Sequence, residues 1–142
     1  MPSPQPQPQP RPSQIQIQKS LHRISTHPTL SPYRRRVYRV LLSIPPGRWT
    51  TYSALAKYLN SSARAIGTAM RTNPFAPDVP CHRVLAADRT LGGYMGSSNA
   101  KGGKNLERKK RMLEGEGVKF IEDDNGARGV KAVGGCFVDF TG

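Results

Sequence analysis

Apolar positions first recur at helical spacing in "SPYRRRVYRVLLSIPPG", where Val37, Val40, Leu41 and Ile44 follow a Ser-Pro start and Pro45-Pro46-Gly47 closes the run. This pattern predicts an amphipathic helix whose Arg34, Arg35, Arg36 and Arg39 form a solvated face. "RWTTYSALAKYLNSSARAIGTAMRTNP" predicts two short helices. Thr50 or Thr51 caps the first, the polar break at residues 60–62 caps the second, and Pro74 ends it. Two helices joined by so brief a turn make a helix-turn-helix pattern, in which the second helix enters a nucleic-acid groove. That second helix is nearly bald, with Ala63, Ala65, Gly67 and Ala69 between the projecting Arg64 and Arg71. Small residues let a backbone approach a surface closely, and they equally suit tight packing on a neighbouring helix.

Further along, residues 86–103 are rich in Gly and Ser and read as loop, with Tyr94 isolated inside it. "NLERKKRMLEGEGVKF" restores a helix from about Asn105 to Glu114 or Glu116, with Gly117 as its stop. Two strand-like runs about Asn125-Gly126 predict a small hairpin. Residues 1–30 alternate Pro and Gln and then turn Gln/Ser-rich, which predicts a disordered tail, leaving residues 31–142 as a single domain. The fold class expected is mainly α within α+β, a winged-helix-like domain with a minor hairpin.

Charge sharpens this picture. The 22 basic and 9 acidic residues give a formal net charge of +13, and no Asp or Glu precedes Asp78. Such a field attracts a phosphate polyanion, and no apolar stretch approaches the roughly 20 residues that span a bilayer, so nucleic acid rather than membrane is the expected partner. The first residues lack the apolar core of a secretory leader. Cys81 and Cys136 lie far apart without metal-ligand spacing, so they are expected as free thiols, with no metal and no cofactor.

"NPFAPDVPCHRVL" places a cysteine against a histidine behind a proline. Pro80 biases Val79 to extended backbone, so Cys81 is not expected inside a helix. A thiol with the ordinary pKa of about 8.5 is only a few per cent thiolate at pH 7, so a catalytic cysteine needs a base or a cation. His82 and Arg83 can supply both, although neighbours in a strand point to opposite faces, so a turn or a bridging water is required. Glu116, in the last turn of a helix, opposes the macrodipole unless paired; it either orients the histidine or pairs with a nearby cation.

"PCHRV", preceded by "ARAIGTAMRTNP" and followed by "GGY" and "LEGEG", resembles the active-site domain of the O6-alkylguanine-DNA alkyltransferases over roughly residues 37–120. The resemblance implies single-turnover transfer of an alkyl group from O6 of guanine in double-stranded DNA to Cys81, with His82 as water-relayed base and Glu116 as its orienter. It implies that Asn73 holds the active-site turn, that Tyr52 crowds the nucleotide's phosphate and helps protonate the leaving guanine, and that Arg64 fills the vacated stack. Ala63, Ala65, Gly67 and Arg71 accompany Arg64 on the DNA-binding helix. Tyr94 lines the base pocket, Val84 offers it a carbonyl, Lys109 matches a lysine near it, and Met95 stands where a serine is common, its N–H directed at O6. A monomer located with DNA in the nucleus, or else the cytoplasm, is expected. The compact pattern also resembles the alkyltransferase-like proteins, which bind alkylated bases without removing the group; those replace the reactive cysteine, which this chain keeps.

Overall fold

The computed structural model describes residues 12–94, 97–98, 104–122 and 130–142. Five helices and three two-stranded sheets compose the described part, a mainly helical α+β arrangement as expected. Helix α2, Pro32–Leu41, begins where the Ser31 hydroxyl accepts a hydrogen bond from Arg34 N and Pro32 supplies its preset φ. It buries Val37, Tyr38, Val40 and Leu41. The helix stops at Leu41, and Ile44 reaches the core from the turn that follows rather than from the helix.

Helices α3, Tyr52–Leu59, and α4, Ala63–Arg71, are each started by a hydroxyl, Thr51 accepting from Ala54 N and Ser62 from Ala65 N. Asn60, left-handed at φ 51°, ends α3 and turns the chain through residues 60–62 into α4. α3 buries Leu55, Ala56 and Leu59, and α4 buries Ile66, Ala69 and Met70. These side chains share one cluster with those of α2, each large aliphatic contributing about 1.5–3 kcal/mol by leaving water.

The disordered tail expected over residues 1–30 does not hold where the structure describes it: Pro12–Thr26 form helix α1. The reason is long-range. Ile24 is fully buried in the main cluster, and the Arg35 guanidinium, projecting from α2, donates to the carbonyls of Ile24, Ser25 and His27. It thus satisfies acceptors that a helix C-terminus leaves open. Arg35 was expected on a solvated face; it is a capping group instead.

Strand β1, Thr50–Thr51, pairs in parallel with β2, Val84–Leu85. On its other side the C-terminal segment joins through a Trp49–Cys136 bridge, with Phe137 N donating to Trp49 O at 2.7 Å. Successive residues of β2 face opposite ways: Val84 enters the main cluster, while Leu85 enters a second with Trp49, Leu113, Val118 and Ala132. The stretch read as loop contains strand β3, Gly93–Tyr94, paired antiparallel with β4, Ser97–Ser98, a ladder too short to mark the sequence with alternation. Helix α5, Lys104–Gly115, is followed by β5, Phe120–Ile121, which pairs antiparallel with β6, Lys131–Ala132, as a hairpin requires. The Asn125-Gly126 turn itself lies outside the described residues.

Candidate active site

The site is built on the turn between α4 and β2. Asn73 folds that turn from within: its amide donates to Val79 O at 2.9 Å and its Oδ1 accepts from Phe75 N at 2.9 Å. Both partners are backbone groups of a short buried stretch that has no helix or ladder to satisfy them. Val79 O also accepts from Cys81 N at 2.9 Å, so the nucleophile candidate hangs from the same carbonyl that Asn73 holds. Cys81–Arg83 form a single 3-10 turn. Cys81 therefore does begin a helical turn, contrary to expectation, though one of three residues. This turn takes His82 out of the alternation of a strand.

Cys81 and His82 are both buried, each 2% exposed. Burial pushes the Cys81 thiol up from its ordinary value, with the Asn73 side chain and the Lys109 ammonium pulling the other way. The resting group is a protonated thiol that must lose its proton to react. His82 Nε2 lies 3.1 Å from Glu116 Oε2. Burial would raise the Glu116 carboxyl, but hydrogen bonds from His82 and Arg83 outweigh it and bring the pKa to about 2. Glu116 is thus an acceptor, and His82 Nε2 donates to it. Nδ1 is buried with no hydrogen-bond partner among the described residues.

Both alternatives for Glu116 are realised together. Besides His82 it accepts from Arg83 Nε at 3.0 Å and from Arg83 Nη2 at 2.6 Å, a forked pair, while Arg83 Nη1 donates to Ile44 O at 2.7 Å. Arg83 therefore serves Glu116, rather than acting directly on the thiol. Gly47 makes room for this arrangement: at φ +86° it lies so close that a Cβ would meet Glu116 O at 3.0 Å.

Lys109 is wholly buried and donates to Val84 O at 2.8 Å and Leu91 O at 2.5 Å, tying the strand after the nucleophile to the segment leading into β3. Val84 O, expected to face a base, thus already accepts from Lys109. Burial lowers the Lys109 pKa to about 7, against a raising influence from Cys81. Its ammonium stands 5.9 Å from the centre of the Tyr52 ring, which places Tyr52, the first residue of α3, beside the same site. The Tyr94 backbone lies in β3; its side chain and all of Met95 lie outside the described residues.

α4 carries the other expected residues. Arg64, Arg71 and Ala63 are exposed, Ala65 and Gly67 half-buried, and a Cβ on Gly67 would meet nothing within 4 Å. Tight packing therefore does not explain this glycine, and the helix packs through Ile66, Ala69 and Met70 instead. The small face is open. Cys136 lies on the C-terminal segment, its sulfur 3.5 Å from Thr50 Oγ1.

The sequence reading missed the use of Arg83 and the double tether of Lys109. Arg83 sits in the quoted motif, but the direction of its side chain depends on Glu116, 33 residues away. For Lys109, a lysine at the position of Leu106 and Leu113 on the buried side of α5 is the signal that was available.

Comparison with known proteins agrees with this geometry. The family described as 6-O-methylguanine DNA methyltransferase, DNA binding domain, matches residues 32–118. A methylated-DNA–protein-cysteine methyltransferase of Methanothermobacter thermautotrophicus is 43% identical over 86 residues, covering 61% of this chain and 44% of that protein. The crystal structure of the O6-methylguanine-DNA methyltransferase of Pyrococcus kodakaraensis superposes with a TM-score of 0.57 at 36% identity, covering 78% of this chain and 66% of that one. S. pombe Atl1, solved in complex with damaged DNA containing O6-carboxymethylguanine, gives 0.56 at 26% identity over 74% of this chain and 90% of that one. The chain spans about half the length of the curated relatives it matches, 44%, 58% and 47% for three of them. With the matched stretch running from the start of α2 through Val118 and containing Asn73, Cys81, His82 and Glu116, the chain belongs to the 6-O-methylguanine DNA methyltransferase family.

Proposed function

We propose that this chain repairs DNA by transferring the alkyl group from O6 of guanine to Cys81 Sγ, once per molecule. The observation that carries the reading is the series of buried Cys81, buried His82 and half-buried Glu116, in which the histidine's Nε2 is bound to the carboxylate and its Nδ1 has no partner among the described residues. In the reaction the thiol proton moves through a bridging water to His82, the sulfur attacks the alkyl carbon, and the carbon–oxygen bond breaks. The departing guanine takes a proton, with Tyr52 assisting, so that the thiol's hydrogen is formally replaced by the alkyl group. A thioether has no ready leaving path, which makes the event stoichiometric. Glu116, held by Arg83, stabilises the imidazolium that forms transiently.

α3 and α4 act as the DNA-binding helix pair, the open face of α4 lying along a groove and Arg64 filling the space left by the flipped nucleotide. Lys109 fixes the pocket wall, and Tyr94 and Met95 contribute to the base pocket. Incubating the chain with a duplex containing O6-methylguanine should raise the mass of the Cys81 peptide by one methyl in place of hydrogen. Cys81→Ala should abolish transfer while retaining affinity for the damaged duplex. Tight binding with no mass change in the wild type would instead assign the chain to the sensing role of the alkyltransferase-like proteins.

A further inference from the structure

Phe75 is one residue through which the active-site turn meets the rest of the protein. It is 4% exposed, its N–H is bonded to Asn73 Oδ1, and its carbonyl accepts from Val79 N. Any shift of Phe75 therefore bears on Asn73 and Val79, which together hold the Cys81 N–H through Val79 O. Its ring is enclosed on one side by Tyr38, edge-on at 5.8 Å and 87°. Two further ring contacts come from the N-terminal segment: His27 edge-on at 5.6 Å and 87°, and the Arg23 guanidinium 5.1 Å from the ring centre. Arg23 also pairs with Asp78 on the same turn at 3.3 Å. The His27 ring is not free to swing, because its Nδ1 accepts from Thr29 N at 3.3 Å and its backbone carbonyl is held by Arg35. Arg23 and His27 both precede residue 32, where the family match begins.

We propose that α1 and the turn after it form a positioning element for the nucleophile, His27 and Arg23 acting through Phe75 on the Asn73–Val79–Cys81 hydrogen-bond series. The role rests on the reading of Cys81 as alkyl acceptor. Edge-to-face aromatic contact and a cation over a ring both have geometric optima, so together they fix the ring in orientation as well as depth. The site gains a defined sulfur position from a segment that contributes nothing to the chemistry itself.

The test uses the full chain with Arg23→Ala/His27→Ala, His27→Phe and Asp78→Asn, and reads three quantities. They are transfer from free O6-methylguanine base, labelling of the Cys81 peptide by iodoacetamide, and affinity for the damaged duplex. Since misplacing a reacting atom by a fraction of an ångström is costly, the double variant should slow transfer and labelling by about tenfold with duplex affinity within about twofold. His27→Phe, which restores an edge-on ring, should stay within about twofold of wild type. Wild-type rates in the double variant, or His27→Phe as slow as the double variant, would overturn the proposal, as would a fall in duplex affinity parallel to the rates. If the double variant does not fold, Asp78→Asn decides: labelling slowed about threefold sustains the role, and unchanged labelling ends it. A wild type that labels but takes up no alkyl group overturns the transfer reading alone, and the labelling rates still judge the positioning role.

Discussion

Glu116 concentrates the electrostatics of the site in one carboxylate. It accepts from His82 and twice from Arg83, and these bonds hold its pKa at about 2 against an ordinary value of 4.5. A folded-state pKa depressed this way contributes stability that is complete above the unfolded value and is lost as pH falls through the folded one. The window runs from about 4.5 down to about 2. The stability advantage of wild type over Glu116→Gln in urea should therefore shrink steadily between pH 5 and pH 2, and a constant difference would show the carboxylate to be unpaired in solution. Lys109 works in another range. Its folded pKa of about 7 lies below the ordinary 10.5, so the unfolded chain binds the extra proton between those values and stability rises with pH across them. Lys109→Met should remove that rise. It should also cost about 1–3 kcal/mol at pH 10, because Val84 O and Leu91 O lose their donor.

At the level of elements, α2, α3 and α4 were legible because their start signals are local. Ser31, Thr51 and Ser62 each cap through a hydroxyl three residues from its partner, and a proline follows Ser31. Ser62→Ala should destabilise the protein by about 1 kcal/mol in denaturant titration, since α4 then loses an N-terminal acceptor. α1 was not legible, because what holds it lies elsewhere: its buried Ile24 sits among polar residues, and its capping donor is Arg35 on another helix. β1 and β2 escaped for a related reason, each being two residues long and stabilised by a partner over 30 positions away. The site divides along the same line. Cys81, His82 and Asn73 stand within one motif, whereas Glu116 is 34 residues from His82, and its place at a helix end left open whether it orients the histidine or pairs with a cation. α4 also yields a test of its own. Arg64→Ala should slow transfer from duplex DNA much more than from free O6-alkylguanine base, which needs no flipping; equal slowing would place Arg64 in the pocket's structure instead.

The whole molecule carries a net charge of +13, and its acids are confined to positions from Asp78 onward, so α1 to α4 present a surface with no acidic side chain. Such a surface binds phosphate by releasing counterions, and duplex affinity should fall with salt, each neutralised phosphate adding about 0.9 to the slope of log K against log salt. The two exposed arginines of α4 differ in this respect. Under the proposed function Arg71, in the last turn beside the Thr68 hydroxyl, meets a phosphate, so Arg71→Ala should reduce the slope by about 0.9. Under the proposed function Arg64, in the first turn among Ala63, Ala65 and Gly67, lies where the backbone comes closest to the bases. If it occupies the stack rather than a phosphate, its removal weakens the flipped complex at every salt concentration and leaves the slope nearly unchanged. Titrating both variants against one damaged duplex from 50 to about 300 mM salt separates the roles, because only a phosphate contact exchanges with bulk cations. A slope reduced equally by both substitutions would make Arg64 one more backbone contact, and the space left by a flipped base would then need a different occupant.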